Sequence, residues 1–193
     1  MKFKNKDVIE MWKHFKNVNV GASLDGMWQR GEMMRKGQDW NQVIANRQRM
    51  IEEVPHVGFH ISSTVSAMNV LHVLDFHRDW VEQGLIKPED FDVNVLYSPD
   101  WYRLDILPDK FKREVVKPAY ENHIAWLADK DPLTRATNGF RGALNMLMAN
   151  DRSDQIPAFR KQVDLLDGAR GEDFWSTFPE LRVLKENDSL CIL

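Results

Sequence analysis

Polar side chains suited to binding a ligand rich in hydroxyls and amines recur near the ends of three alternating stretches of this chain. They are hydroxyls, amides and one carboxylate, on Ser23, Asp25, Thr64, Asn69 and Asn94. Such groups form the hydrogen bonds that a nucleoside offers. An alternative stays open, because side chains of these types also cap the helices that follow strands, and this applies to Thr64, Ser66 and Asn69.

The stretches that would position these groups alternate apolar with polar residues. They are residues 17–26 (NVNVGASLDG), 56–69 (HVGFHISSTVSAMN) and 91–100 (FDVNVLYSPD). A period of two predicts strands with one apolar and one polar face. We therefore expect His60, Ser62 and Asn94 to face a bound substrate from the polar side of the sheet.

Segments with helical periodicity separate the three predicted strands, which indicates parallel strands joined by crossovers. Residues 39–54 and 67–83 carry the spacing of amphipathic helices packed on a sheet. Parallel sheets are normally apolar on both faces, yet one face here is polar and costly to bury unpaired. The sequence predicts an α/β fold, a partial (βα) barrel whose inner face lines a ligand cavity.

We expect residues 1–108 to form this half barrel and residues 109–193 to form a helical extension packed on it. Residues 5–16 predict an initial helix, and residues 101–107 (WYRLDIL) alternate as in a short extra strand or extended arm. The remaining helical periods cover residues 109–117, 119–129, 134–149, 154–167 and the start of 171–184.

The composition argues against several functional classes. The chain has 26 basic and 29 acidic residues, for a net charge of −3, which gives no general attraction to nucleic acid or to an anionic membrane. Neither a signal peptide nor an apolar run near the ~20 residues of a membrane span is visible, so we expect a cytoplasmic protein. P-loop, dinucleotide-binding, HExxH and GxSxG patterns are absent, and no catalytic residue is assigned.

The single cysteine, Cys191, is the most informative limit on the chemistry. One thiol cannot build an internal disulfide, a cysteine-rich zinc site or an iron–sulfur cluster. We therefore expect no metal site within this chain.

Several short motifs occur in a specific order along nearly the whole chain. They are SLDG, then KGQDWNQVIANRQRM, ISSTVSAMNVLHVLDFHRDW, VNVLYSPDWYRLDILP and FWSTFPEL, with Arg35 between the first two. In this order they resemble the carboxyl-terminal half of radical S-adenosylmethionine proteins, and most closely those with a twitch or SPASM-type cysteine domain.

The resemblance implies that the three strands are the last three of a partial (βα)6 barrel. It implies S-adenosylmethionine as cofactor, with these contacts: Ser23 and Asp25 at the ribose or methionine part, Arg35 at the carboxylate, Thr64 and Asn69 on the ribose side, and Leu96 at the adenine. The fork of an arginine suits a carboxylate. In the complete enzyme, the implied reaction is reductive cleavage of the cofactor to a 5′-deoxyadenosyl radical, followed by hydrogen abstraction.

The CxxxCxxC motif that holds the family's 4Fe–4S cluster is absent here. The resemblance therefore predicts a truncated or split protein, inactive alone, whose cluster is supplied by a complementary amino-terminal half bearing CxxxCxxC. Self-association through the edge of the first strand is the alternative assembly. A non-catalytic α/β binding or interaction module, a degenerate fragment, is the alternative function.

Overall fold

The computed structural model describes residues 2–3 and 6–185. Two short strands, β1 (Lys2–Phe3) and β2 (Lys6–Asp7), pair antiparallel and lead into α1 (Val8–Trp12). The Asp7 side chain caps α1 by accepting a hydrogen bond from the Ile9 N–H. The helix predicted over residues 5–16 is therefore limited to five residues.

The centre of the molecule is a three-stranded parallel sheet. Its strands are β3 (Asn19–Ala22), β4 (Gly58–Val65) and β5 (Phe91–Val95), in the order β3-β4-β5. The predicted α/β class and parallel strand order are confirmed. The sheet is open, however, and the predicted closure into part of a barrel is not confirmed.

Helices connect the strands as the crossover prediction requires. Between β3 and β4 lie α2 (Trp28–Met34) and α3 (Trp40–Glu53), and between β4 and β5 lies α4 (His72–Glu82). The helix predicted over residues 39–54 is confirmed to within a residue at each end. The helix predicted from residue 67 begins only at His72.

One face of the sheet is apolar and packs against helices. Ile61 and Phe91 are adjacent in the β4–β5 register and fully buried. Phe76 of α4 meets the Phe91 ring edge-on at 5.5 Å between ring centroids, and Trp80 meets Phe76 at 5.3 Å. Because burying one such side chain contributes about 1.5–3 kcal/mol, this aromatic cluster is a main source of stability.

The rest of the chain is helical. A helix runs from α5 (Asp109–Phe111) through one π-helical segment (Lys112–Val116) into α6 (Lys117–Leu127). The later elements are α7 (Arg135–Ala149), α8 (Ile156–Arg170), α9 (Phe174–Thr177) and a 3₁₀ segment (Pro179–Leu184). No helix among the described residues is long and apolar enough to cross a bilayer.

The extra strand or extended arm predicted over residues 101–107 is wrong. This segment forms two 3₁₀ turns, Asp100–Tyr102 and Leu104–Ile106. Leu104 and Leu107 are both fully buried. Over so few residues, apolar alternation does not distinguish a strand from a 3₁₀ turn, in which side chains three apart share a face.

Helix α7 packs closely against β5. A Cβ atom added at Gly139 would lie 2.8 Å from the Val93 Cβ, so only glycine allows this approach. The main core combines residues from both predicted regions, for example Ile61 and Phe91 with Phe140 and Phe159. The helical region therefore shares one core with the sheet.

Two buried histidines join α4 to α6. His77 Nε2 lies 2.9 Å from the Pro88 carbonyl oxygen, and His77 Nδ1 lies 2.9 Å from His123 Nε2. Because a carbonyl only accepts, the His77 proton is on Nε2, and His123 donates to Nδ1. Burial lowers the pKa of both histidines, so the pair is neutral.

Candidate site at the carboxyl edge of the sheet

The ends of β3 and β4 meet at Asp25. Its Oδ1 accepts a hydrogen bond from the Thr64 backbone N–H at 2.7 Å, and its Oδ2 lies 2.8 Å from Arg35 Nε. Arg35 directly follows α2 and keeps 36% of its side chain exposed, against 14% for Asp25. The structure thus brings together three of the predicted cofactor-binding residues, two of them as an ion pair.

Asn69 is fully buried beside this ion pair. Its Nδ2 donates to the backbone carbonyls of Asp25 (2.8 Å) and Thr64 (3.0 Å), and its Oδ1 accepts from the Ser66 N–H at 2.8 Å. These bonds hold the turn that begins at Ser66, and regular helical structure of α4 starts only at His72. Asn69 positions the strand ends, and its contact with a ligand stays a prediction.

The polar face of the sheet carries the predicted substrate-facing residues. Ser62 pairs with Asp92 in the β4–β5 register, and Thr64 pairs with Asn94. Asn94 Nδ2 donates to Ser62 Oγ at 3.0 Å. His60 Nε2 lies 3.7 Å from Asp92 Oδ2. The side chains of His60, Ser62 and Asn94 therefore occupy one face of the sheet, as the alternation of apolar and polar residues predicts.

This polar face is accessible to solvent. The exposed fraction of the side chain is 27% for His60 and 36% for Asp92, and Asn94 is exposed. A Cβ atom at Gly21 would lie 2.9 Å from His60 Nε2, so the imidazole lies directly over the β3 backbone. Helices pack on the apolar face, while hydroxyl, amide, imidazole and carboxylate groups remain available on the other.

Ser23 and Leu96 lie at the same carboxyl edge. Ser23 is exposed directly after β3. Leu96 is half-buried directly after β5, and its N–H donates to the Val65 carbonyl at 2.9 Å. Their predicted contacts with the cofactor remain predictions. Ser23 lies two residues before Asp25 in the loop after β3, and Leu96 begins the loop after β5.

Sequence reasoning missed Asp92. Its carboxylate lies between His60 and Arg135, whose Nη2 is 3.1 Å from Asp92 Oδ1. The signal was present in FDVNV, because alternation places Asp92 on the same face as Asn94. Arg135 could not be found in this way, since it comes from α7.

A separate cleft of about 590 Å3 lies between α2, α4 and α9, and Trp28, Asp75 and Thr177 are among its lining residues. His72 lies in its wall, and its Nε2 accepts a hydrogen bond from the Met27 N–H at 2.9 Å. Burial, followed by the charge of Arg30, lowers the pKa of His72 to about 4. The imidazole is therefore neutral near pH 7, and it can accept the hydrogen bond from the backbone of Met27.

The donor set of this chain does not fit a 4Fe–4S cluster. Such a cluster is held mainly by cysteine thiolates, whereas the sequence has one cysteine, Cys191, which lies outside the described residues. Within residues 2–3 and 6–185, no three His, Cys, Asp or Glu side chains come together as metal ligands. Comparisons with protein-family models, with curated proteins and with solved structures find no match for this chain.

Proposed function

We propose that this chain is the carboxyl-terminal part of a radical S-adenosylmethionine protein and supplies cofactor and substrate contacts to a larger barrel. The supporting observation is the three-stranded parallel sheet, whose apolar face is packed by helices while its polar face is open. In α/β proteins, ligands bind at the carboxyl ends of such strands. Asp25, Arg35 and Thr64 lie together at that edge.

The residues at this edge suit S-adenosylmethionine in part. Arg35 is held by Asp25 through Nε, which leaves the two terminal nitrogens of its guanidinium to receive the cofactor's carboxylate. The hydroxyls of Ser62 and Thr64 and the amide of Asn94 suit the ribose and adenine. Asp25 and Asn69 act by positioning, because their polar atoms already bind protein groups.

A complementary half barrel bearing CxxxCxxC would supply the cluster that these residues do not fit. The strand β3 stands at one end of the sheet order, so its outer edge has no strand partner among the described residues. An unpaired strand edge is a template for another strand. Pairing there would place the partner beside the polar face, where His60 and Ser62 lie. A second copy of this chain is the alternative occupant of that edge.

Binding of S-adenosylmethionine to this chain can be measured by equilibrium dialysis. We expect saturable binding, weakened about tenfold in Arg35→Gln, because one charge-assisted contact to the cofactor's carboxylate is lost. Arg113→Gln is the matched control, since Arg113 forms an ion pair with Asp109 in which both side chains are exposed. Equal affinities for the two variants, at unchanged melting temperatures, would contradict the proposed role of Arg35.

The assembled enzyme is tested with a second polypeptide, an amino-terminal half barrel of this family that carries CxxxCxxC. The two polypeptides are mixed, loaded with iron and sulfide, and reduced anaerobically with S-adenosylmethionine. We expect 5′-deoxyadenosine only from the mixture. Absence of both complex formation and 5′-deoxyadenosine, with cofactor binding also absent, would favour the second candidate, a non-catalytic α/β binding module. The internal hydrogen bonding of Asp25 and Asn69 is the observation that favours this candidate.

A further inference from the structure

A partly enclosed pocket of about 180 Å3 lies where the connections after all three strands meet α8. Met33 and Met34 come from α2, after β3; Met68 comes from the connection after β4; and Tyr102 comes from the 3₁₀ turn after β5. Val163 of α8 and Phe174 of α9 complete the wall. Three successive strand connections therefore converge on this pocket, at the edge of the sheet where α/β proteins bind ligands.

Most residues of the lining are apolar or aromatic, and its methionines make it adaptable. Its three methionines have unbranched, polarizable side chains, which adjust to ligands of different shape and make favourable contacts with aromatic rings. A dry apolar cavity of roughly 150 Å3 is enough to bind benzene. The pocket therefore has room for a single aromatic ring or a branched alkyl group.

The charged side chains of the lining are held by hydrogen bonds or ion pairs. Arg170 Nη1 donates to the Met33 carbonyl at 3.2 Å and lies 3.7 Å from Glu172. Glu172 also pairs with Lys36 at 2.6 Å, and Asp167 accepts a hydrogen bond from the Phe174 N–H at 2.9 Å. The positive charges of Arg170 and the adjacent Lys36 balance the negative charges of Glu172 and Asp167, so the pocket offers no net attraction to a charged ligand group.

One hydroxyl can orient a ligand in this pocket. Tyr102 is half-buried, and burial raises the pKa of its phenol, so the hydroxyl stays protonated. Its ring packs edge-on against Phe159 at 5.8 Å between centroids, which fixes the direction of the side chain. A small number of placed polar groups in an apolar wall is the usual composition of a small-molecule site.

Two residues of the pocket wall are neighbours in sequence of residues in the site described above. Met34 directly precedes Arg35, and Met68 directly precedes Asn69.

We propose that this methionine-lined pocket binds a neutral aromatic or branched alkyl group, the apolar end of a small-molecule substrate. The assignment to a substrate rests on the proposed function, whereas binding of the apolar group does not. The ligand class follows from three observations: the pocket size, the thioether lining and the balance of positive and negative charges around it.

The test uses the full chain labelled with 13C at its methionine methyl groups and titrated with p-cresol, a neutral ring with one hydroxyl. We expect saturable shifts of the Met33, Met34 and Met68 resonances, with a dissociation constant of roughly 1 mM or below. Met50 is an internal control, because it lies in a separate core cluster with Ile9 and Val54. The anionic analogue p-toluate should bind at least about tenfold more weakly.

A second experiment fills the pocket with a larger side chain. Met68→Trp should weaken p-cresol binding about tenfold or more, because the larger side chain occupies the ligand volume. Met50→Leu should leave it unchanged. Should Met68→Trp fail to fold, Met34→Phe replaces it with a smaller increase in volume.

Several results would overturn the proposal. They are shifts that do not saturate, shifts of Met50 equal to those of the pocket methionines, unchanged affinity in the folded filled variants, or equal binding of p-toluate. Failure of the proposed function is distinguishable, since it gives saturable p-cresol binding without binding of S-adenosylmethionine. If the pocket proposal alone is wrong, S-adenosylmethionine binds and p-cresol does not.

Discussion

The carboxylate of Asp25 accepts a hydrogen bond from the backbone N–H of Thr64 at 2.7 Å, across the ends of two adjacent parallel strands. Strand β3 stops at Ala22, where the Leu24 N–H turns back to the Ala22 carbonyl at 3.0 Å. The side chain of Asp25 therefore supplies the acceptor that the backbone of β3 no longer offers. The same side chain holds Arg35, so one residue both ends the strand pairing and positions a cation.

Removing this acceptor should destabilise the protein. We expect Asp25→Ala to lower the free energy of unfolding by about 1–3 kcal/mol, because the partly buried Thr64 N–H loses its partner. Asp25→Asn keeps an acceptor oxygen and should cost less than Asp25→Ala. Urea denaturation followed by circular dichroism measures both. Equal losses for the two variants would mean that the ion pair with Arg35, and not the Thr64 hydrogen bond, supplies the stability.

Asn69→Asp should be more damaging than its small change in shape suggests. The substitution removes the two N–H donors that bind the Asp25 and Thr64 carbonyls and sets a buried charge against those oxygens. We expect a loss of roughly 3 kcal/mol or more at pH 7 in the same denaturation experiment. Asn145→Asp, on the exposed surface of α7, is the control and should change stability by less than about 0.5 kcal/mol. A loss of similar size in both variants would show that any added negative charge lowers the stability, whether or not the hydrogen bonds of Asn69 are lost.

Two glycines of α7 should respond in opposite directions to alanine. A Cβ at Gly139 would meet the Val93 side chain at 2.8 Å, so Gly139→Ala should force α7 away from β5 and cost about 1–3 kcal/mol. A Cβ at Gly142 would meet nothing within 4 Å, so Gly142→Ala should gain up to about 1 kcal/mol from better helix propensity. Thermal melting compares the two variants directly. Stabilisation by both would mean that α7 and β5 are not in tight contact.

Stability should fall as the pH drops below about 6.5. His72, His77 and His123 have folded-state pKa values below the ordinary value of 6.5, and burial is the main cause for each. The unfolded chain therefore takes up protons that the folded chain excludes, so this contribution is complete above about pH 6.5 and is lost between about pH 6.5 and 4. Each histidine contributes up to roughly 1.4 kcal/mol per pH unit in that window.

The histidine effect can be measured by urea denaturation between pH 7 and 4.5. Replacing His72 with Gln, which can still accept from the Met27 N–H, should reduce the slope by about one third, because one of three histidines is removed. His14→Gln is the control, since His14 is exposed. A slope that is unchanged in His72→Gln would show that His72 does not exclude protons in the folded protein.

The face of the sheet on which each residue lies could be predicted from alternation alone. His60, Ser62 and Asn94 share the polar face, and Ile61 lies on the buried face, because side chains of a strand alternate strictly. The prediction of a strand or extended arm at residues 101–107 is wrong, because so short a segment does not distinguish the period of a strand from that of a 3₁₀ turn.

The sequence by itself determined the helical crossovers, and with them the parallel direction of the three strands. Only the tertiary structure decided that the sheet is open, that Asp25 pairs with Arg35, that Asn69 joins two strand ends, and that three methionines line one pocket. The physical reason is that periodicity records which face of an element is buried. Contacts between residues distant in the chain depend instead on how the crossovers place one loop against another.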